Sequence, residues 1–198
     1  GCSITSSFFN TGCGTSTRGC ATSWATPATS AAAAMVRQYY SEGWYPTGTQ
    51  EPHHGSTPSG ALMHATLPNS TIDMTGIANY PSDREGWGLI RLDNTLHFDG
   101  AARITRVWDA HNDHGLTTGQ SRSFHVDVAS NTQPLRVTLV WSDPPAAAGS
   151  NAPVVNNLDL TVTSPDGTQT FLGNNFAAGV SATGGAADAR NNVEMVLV

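Results

Sequence analysis

The sequence predicts two parts: an α/β part over residues 1–98, and an all-β jelly roll or β-sandwich over residues 99–198 that stops before it is complete. Three observations predict it. An Ala-rich run with apolar residues at helical spacing dominates the first half. The second half alternates apolar and polar residues over short runs separated by turn signals. The composition shifts from one pattern to the other near Gly100.

In chain order, "SITSSFF" (3–9) and "TSTRGC" (15–20) flank the turn-rich "NTGCG" and predict a β-hairpin. A helix is expected from Ser23 to about Tyr40. Ala31 to Ala34 favour it, Met35, Val36, Tyr39 and Tyr40 extend an apolar face, and Gly43 ends it. Residues 42–60 read as a loop. "SGALMHATL" (59–67) reads as a second helix. "REGWGLIRLDNTLHF" (84–98) reads as a Gly-Trp-Gly turn, a short strand and a one-turn helix capped by Asp93. Beyond residue 100, "ARITRVWD", "SRSFHVDVA", "PLRVTLVWSD", "NLDLTVTSP", "TQTFLG" and "NVEMVLV" are the expected strands, with "SPDGT" (164–168) as a turn between two of them.

Composition narrows the function classes. The 198 residues are 38% hydrophobic and 12% charged, which supports a packed core rather than a disordered chain. All nine basic residues are Arg, and the net charge is −6. That leaves no electrostatic footprint for nucleic acid or anionic membrane. No apolar run approaches the roughly 20 residues that span a bilayer. The chain opens at Gly1 without Met and stops in an apolar run, so it is read as an internal window of a longer protein.

Three cysteines, Cys2, Cys13 and Cys20, fall in the first twenty residues, and no C-x-x-C spacing occurs, which argues against zinc. In the hairpin, positions summing to about 22 to 24 face each other, so Cys2 and Cys20 meet at its open end. The alternatives are a Cys13–Cys20 bridge with Cys2 bonded elsewhere, or three free thiols. The sequon "NST" marks Asn69 for glycosylation. Cysteines and sequon together predict an extracellular, secreted protein.

The stretch "CATSWATPATSAAAAMVRQYY" (20–40) carries the chemistry. A serine in the first turn of a helix meets the positive end of the helix dipole. Its backbone N–H has no acceptor within the helix and is available to a developing oxyanion. Pro27 sits where a missing N–H costs little. Spacing alone favours the plainer reading, in which Thr22 or Ser23 is only an N-cap.

"TSWATP" (22–27) resembles the nucleophile motif G-T-S-M-A-T-P of subtilisin-like serine proteases, the subtilases. "GCSITSSFFN" resembles the segment leading into that motif. "PSGALMHATLPNSTIDMTG" resembles the helix that follows, and "YPSDREGWGLIRLDNTL" the closing G-W-G-x-x-x-L-D segment. "PLRVTLVWSDPPA", "VVNNLDLTVTSPDGT" and "NNVEMVLV" resemble the jelly roll that follows the catalytic domain in one branch of the family. The resemblance implies the C-terminal portion of an α/β subtilase domain followed by a truncated jelly roll. It implies a secreted endopeptidase acting on polypeptide substrates through an acyl-enzyme. Ser23 takes the nucleophile position, and its N–H half of the oxyanion hole.

The family's Asp, His and oxyanion Asn precede the serine, so the remainder of the same protein is expected to supply them. "HHGSTP" (53–58) and "HNDH" (111–114) read as surface-loop histidines instead. The chain departs from the motif at Ala21, which stands for Gly, at Trp24, which stands for Met, and at Thr29 and Ser30, which stand for small residues. These departures define the alternative: a catalytically reduced, subtilase-derived structural or binding component of an extracellular assembly.

No cofactor is expected for catalysis. The related jelly rolls imply structural calcium, with Asp143 and Asp159 as candidate ligands among the oxygen-rich loop residues Asn156, Asn157, Asp166, Asp188, Asn191 and Asn192.

Overall fold

A computed structural model describes residues 5–7, 15–17, 21–74, 76, 78–151 and 153–198. The described residues make a small mixed domain with two α-helices and antiparallel sheets. β1 (Thr5–Ser7) and β2 (Thr15–Thr17) pair antiparallel, with Thr5 opposite Thr17, Ser6 opposite Ser16 and Ser7 opposite Thr15. This is the expected hairpin.

α1 (Thr22–Ser41) and α2 (Gly60–Ser70) follow. α1 ends as expected: Gly43 takes φ +78°, a conformation that favours glycine, and its N–H donates to the Tyr40 carbonyl at 3.2 Å. α2 begins at the N-cap Ser59, whose Oγ accepts from the Leu62 N–H at 3.0 Å. Between the helices, Val36, Tyr39, Tyr40 and Leu96 form a buried cluster. Trp44, Tyr45, Leu62, Met63, Leu67, Leu92 and Val107 pack against it. The Tyr39 hydroxyl donates to the His97 carbonyl at 2.8 Å, and burial pushes its pKa up to about 12.

Over 84–98 the outcome differs in detail. Leu89 makes an isolated bridge to Ile72 rather than a strand, and a one-turn 3₁₀ helix spans Leu92–Asn94. Asp93 does not cap that turn. Its N-cap is Arg91, and Asp93 lies inside, accepting from the Arg91 guanidinium at 2.9 and 3.1 Å.

Five strands form in the second half: β3 (Arg136–Val140), β4 (Thr161–Thr163), β5 (Thr170–Ala177), β6 (Val180–Thr183) and β7 (Val193–Leu197). β3 pairs with β7, and β4, β5 and β6 form an antiparallel sheet in that order. All five β7 residues are buried. β3 occupies one edge of β7. Facing it, side chains of β5 and β6 satisfy the backbone. The Met195 N–H donates to Asn174 Oδ1 at 3.0 Å, the Leu197 N–H donates to Ser181 Oγ at 2.9 Å, and Asn174 Nδ2 donates to the Val193 carbonyl at 2.8 Å.

Two expected strands do not form. Residues 102–109 and 121–129 have no ladder partner, and Ile104, Phe124, Val126 and Val128 stay exposed. Alternation specifies a face but not a neighbour, and a strand needs both. The described strands make three small sheets, β1–β2, β3–β7 and β4–β5–β6, and no barrel.

The two parts are joined closely. Arg136 Nη1 donates to the Asn69 carbonyl at 2.9 Å and also to the Thr71 carbonyl. Val107 N donates to the Tyr45 hydroxyl at 3.1 Å. Residues 105–109 therefore pack on the helical part, beyond the boundary that the composition shift near Gly100 predicts.

Candidate functional site

α1 positions the candidate nucleophile. Its N-cap is Ala21, with no side-chain capping bond, so Thr22 and Ser23 lie inside the first turn instead of capping it. The plain N-cap reading therefore fails for both residues. Ser23 is the second helical residue, and its side chain is exposed. First-turn N–H groups have no acceptor within the helix. Pro27 has no N–H to donate to the residue four back, so the Ser23 carbonyl also lacks its helical partner. Thr26 Oγ1 donates to the Thr22 carbonyl at 3.0 Å and fixes the rest of the turn. The Ser23 hydroxyl thus stands at the positive end of a 20-residue helix dipole.

The motif departures take physical form here. Ala21 has φ −158° and ψ 148°, an extended conformation open to any residue, so its Cβ adds no backbone strain. Trp24 is half-buried beside Ser23. His53 and His54 pair with Glu51, and His114 pairs with Asp113.

The other candidates are placed as follows. Cys2, Cys13 and Cys20, and with them the Cys2–Cys20 pairing, lie outside the described residues. Asn69 sits in the last turn of α2 with its amide fully engaged. Nδ2 donates to Thr138 Oγ1 at 2.9 Å and to the Arg136 carbonyl at 3.4 Å, and Oδ1 accepts from Thr95 Oγ1 at 3.0 Å. A glycan on that nitrogen would break the seam between α2 and β3, so the folded chain does not suit glycosylation at Asn69.

Calcium at Asp143 and Asp159 does not fit the geometry either. Asp143 Oδ2 accepts from the Val155 N–H at 2.6 Å, and Oδ1 accepts from the N–H and Nδ2 of Asn156, both at 2.9 Å. These bonds clamp one loop to another and, despite the cost of burial, hold the Asp143 pKa below its ordinary value. The adjoining hollow, about 340 Å³, is also lined by Arg190, a cation where a ligand would be needed. Asp159 accepts from Asn157 Nδ2 at 3.2 Å. Neither aspartate belongs to a group of three acidic, His or Cys ligands among the described residues.

Sequence reasoning missed Asp109. Its Oδ2 accepts from the Ser59 N–H at 2.8 Å and its Oδ1 from the Ser59 hydroxyl at 2.5 Å, placing a carboxylate at the N-terminus of α2. It lines a hollow of about 260 Å³ with Tyr40, Tyr45, Ser56 and His111. No local pattern announces a partner fifty positions away. The buried Glu194 was missed for a similar reason, since it lies within a run that reads as a plain apolar strand.

With this geometry in place, known proteins give a context. No family model matches the chain. It is 29% identical over 219 residues to the Dictyostelium discoideum serine protease/ABC transporter B family protein tagD, a match covering 89% of this chain and 12% of that protein. It is 30% identical over 178 residues to tagA of the same organism and description, covering 84% of this chain and 10% of that protein. The chain has homologues named as serine proteases. It spans about a tenth of their length. A third relative, tagB, is 26% identical over 221 residues. No helix among the described residues is long and apolar enough to cross a membrane.

Proposed function

We propose that this chain carries the nucleophile segment of a secreted, subtilisin-like serine endopeptidase, with Ser23 as the nucleophile. The observation that carries the reading is the placement of Ser23: exposed, in the first turn of a 20-residue helix, and not used as a cap. A hydroxyl in that place has a helix dipole to stabilise its alkoxide and a first-turn N–H to donate to an oxyanion. The relatives' description as serine proteases supports the same chemistry.

In this reading Ser23 Oγ attacks the scissile carbonyl of a polypeptide, and the Ser23 N–H donates to the resulting oxyanion. A histidine from the remainder of the protein takes the Oγ proton and passes it to the leaving amine. An aspartate from the same remainder orients that histidine, and an asparagine completes the oxyanion hole. The β part adds a scaffold against α2.

A fluorophosphonate probe on the full-length protein tests this. Stoichiometric labelling that maps to Ser23 and vanishes in Ser23→Ala supports the enzyme reading. A folded full-length protein that takes no label supports the alternative, a structural or binding component.

A further inference from the structure

We propose that Glu51, His53 and His54 form a binding site for a divalent transition ion of the zinc class, on the loop that follows α1. The proposal stands apart from the protease reading.

The loop is held rigidly against the end of α1. The Glu51 N–H donates to the Gly43 carbonyl at 3.1 Å, and the Ser56 N–H donates to the Tyr40 carbonyl at 3.0 Å. Between them Pro52–His54 make one 3₁₀ turn, closed by the His54 N–H donating to the Glu51 carbonyl at 2.8 Å. This turn brings three donor atoms together. Glu51 Oε2 lies 3.3 Å from His53 Nε2 and 3.4 Å from His54 Nδ1, and all three ligand atoms fall within 4.8 Å of one another. The two imidazole rings are 4.0 Å apart.

Those separations suit a metal. Bonds of about 2.0–2.1 Å place neighbouring ligands of a tetrahedral ion about 3.3–3.4 Å apart. His54 Nδ1 is buried and has no hydrogen-bond partner, although a carboxylate oxygen is near. A buried ring nitrogen without a bond costs free energy, and an ion between it and the carboxylate removes that cost. The outer oxygen is already oriented, since Thr49 Oγ1 donates to Glu51 Oε1 at 3.2 Å and leaves Oε2 turned to the imidazoles. The His53 side chain is 71% exposed, so the fourth coordination position faces water. Two imidazoles and one carboxylate select Zn²⁺, Cu²⁺ or Ni²⁺ over the hard ions Ca²⁺ and Mg²⁺. Four residues, Glu51 to His54, carry all three ligands, so the ion would cross-link this single turn, which the backbone bonds already hold at the end of α1.

The test is a Zn²⁺ titration of untagged, EDTA-stripped full-length protein, followed by calorimetry and by competition with a chromogenic chelator. His53→Ala suits the experiment because its exposed side chain is dispensable for folding. We expect the wild type to bind one more equivalent of Zn²⁺ than the His53→Ala/His54→Ala double variant. Affinity at that site should fall at least about tenfold in His53→Ala and, through loss of the supporting hydroxyl, about tenfold in Thr49→Val. Co²⁺ substitution should give tetrahedral visible bands that the single His53→Ala change removes. Equal stoichiometry and affinity in the wild type and His53→Ala, or Co²⁺ bands unchanged in that variant, would overturn the proposal.

Discussion

Glu194 is where burial and charge oppose each other most sharply. Its side chain is almost wholly buried on β7. Oε2 accepts from the Leu160 N–H at 2.7 Å, and Oε1 has no partner. Burial, with Asp159 and Asp188 nearby, raises its pKa from 4.5 to about 7. Between those values the folded chain holds a proton that the unfolded chain has released. Stability from this group is therefore complete below about pH 4.5, falls as the pH rises towards 7, and is flat above. Glu194→Gln is expected to remove that slope and to gain on the order of 1–3 kcal/mol at pH 8. Urea melts of both forms at pH 5 and pH 8 measure it, and parallel pH profiles would refute it. Ala21 makes a second prediction at this scale. Because its backbone is extended, Ala21→Gly relieves no strain, and the labelling rate of Ser23 should change by less than about twofold. A large gain would show that the Cβ itself crowds the acyl site.

Among the elements, β5 and β7 meet through a contact that only glycine allows. A Cβ on Gly173 would lie 2.2 Å from Glu194 Oε2 and 2.7 Å from Glu194 Cβ. Gly173→Ala should cost about 1–3 kcal/mol in a chemical melt. Adding Glu194→Ala should recover part of that loss, because the two residues share the contact. Purely additive effects would count against this packing. The neighbouring Asn174, at φ 59°, stands in for a strand by bonding β7 with both ends of its amide. The elements legible in the sequence were those with local causes: the Ala run and Gly43 of α1, Ser59 at the head of α2, and the apolar run of β7. Residues 102–109 and 121–129 alternate equally well yet form no strand, because the partner that makes a strand is not encoded within it. The hairpin also carries a prediction. The β1–β2 register pairs positions summing to 22, within the sums of about 22 to 24 on which the Cys2–Cys20 expectation rests. A Cys2–Cys20 disulfide, worth on the order of 3 kcal/mol, is expected in non-reducing peptide maps, and a bridge to Cys13 would exclude it.

For the whole molecule, the organising piece is α2, held at both ends by the chain that follows it. Asp109 grips Ser59 at its start, and Arg136 takes the Asn69 and Thr71 carbonyls at its end. A carboxylate at the N-terminus and a cation at the C-terminus both follow the helix dipole. None of this was legible in the sequence, because each contact spans fifty or more positions and the quoted segments holding the two residues name no such partner. The same is true of Asn69, whose sequon pointed to a glycan while its amide serves the α2–β3 seam. The Arg136 guanidinium is half-buried, which lowers its pKa, so its bonds form where water competes poorly. Arg136→Ala would leave two carbonyls at the end of α2 without their donor and would remove the bolt to β3. A loss of about 2–3 kcal/mol is expected. Both carbonyls accept from the one Nη1 nitrogen, so Arg136→Lys, whose ammonium offers three donors, should recover part of that loss. Arg91→Ala is the control: its pair with Asp93 is exposed and should contribute little to stability. If the two alanine variants melt alike, α2 is not the joint between the helices and the sheets. If Arg136→Ala also separates the melt into two transitions, α2 is the joint that makes them unfold together.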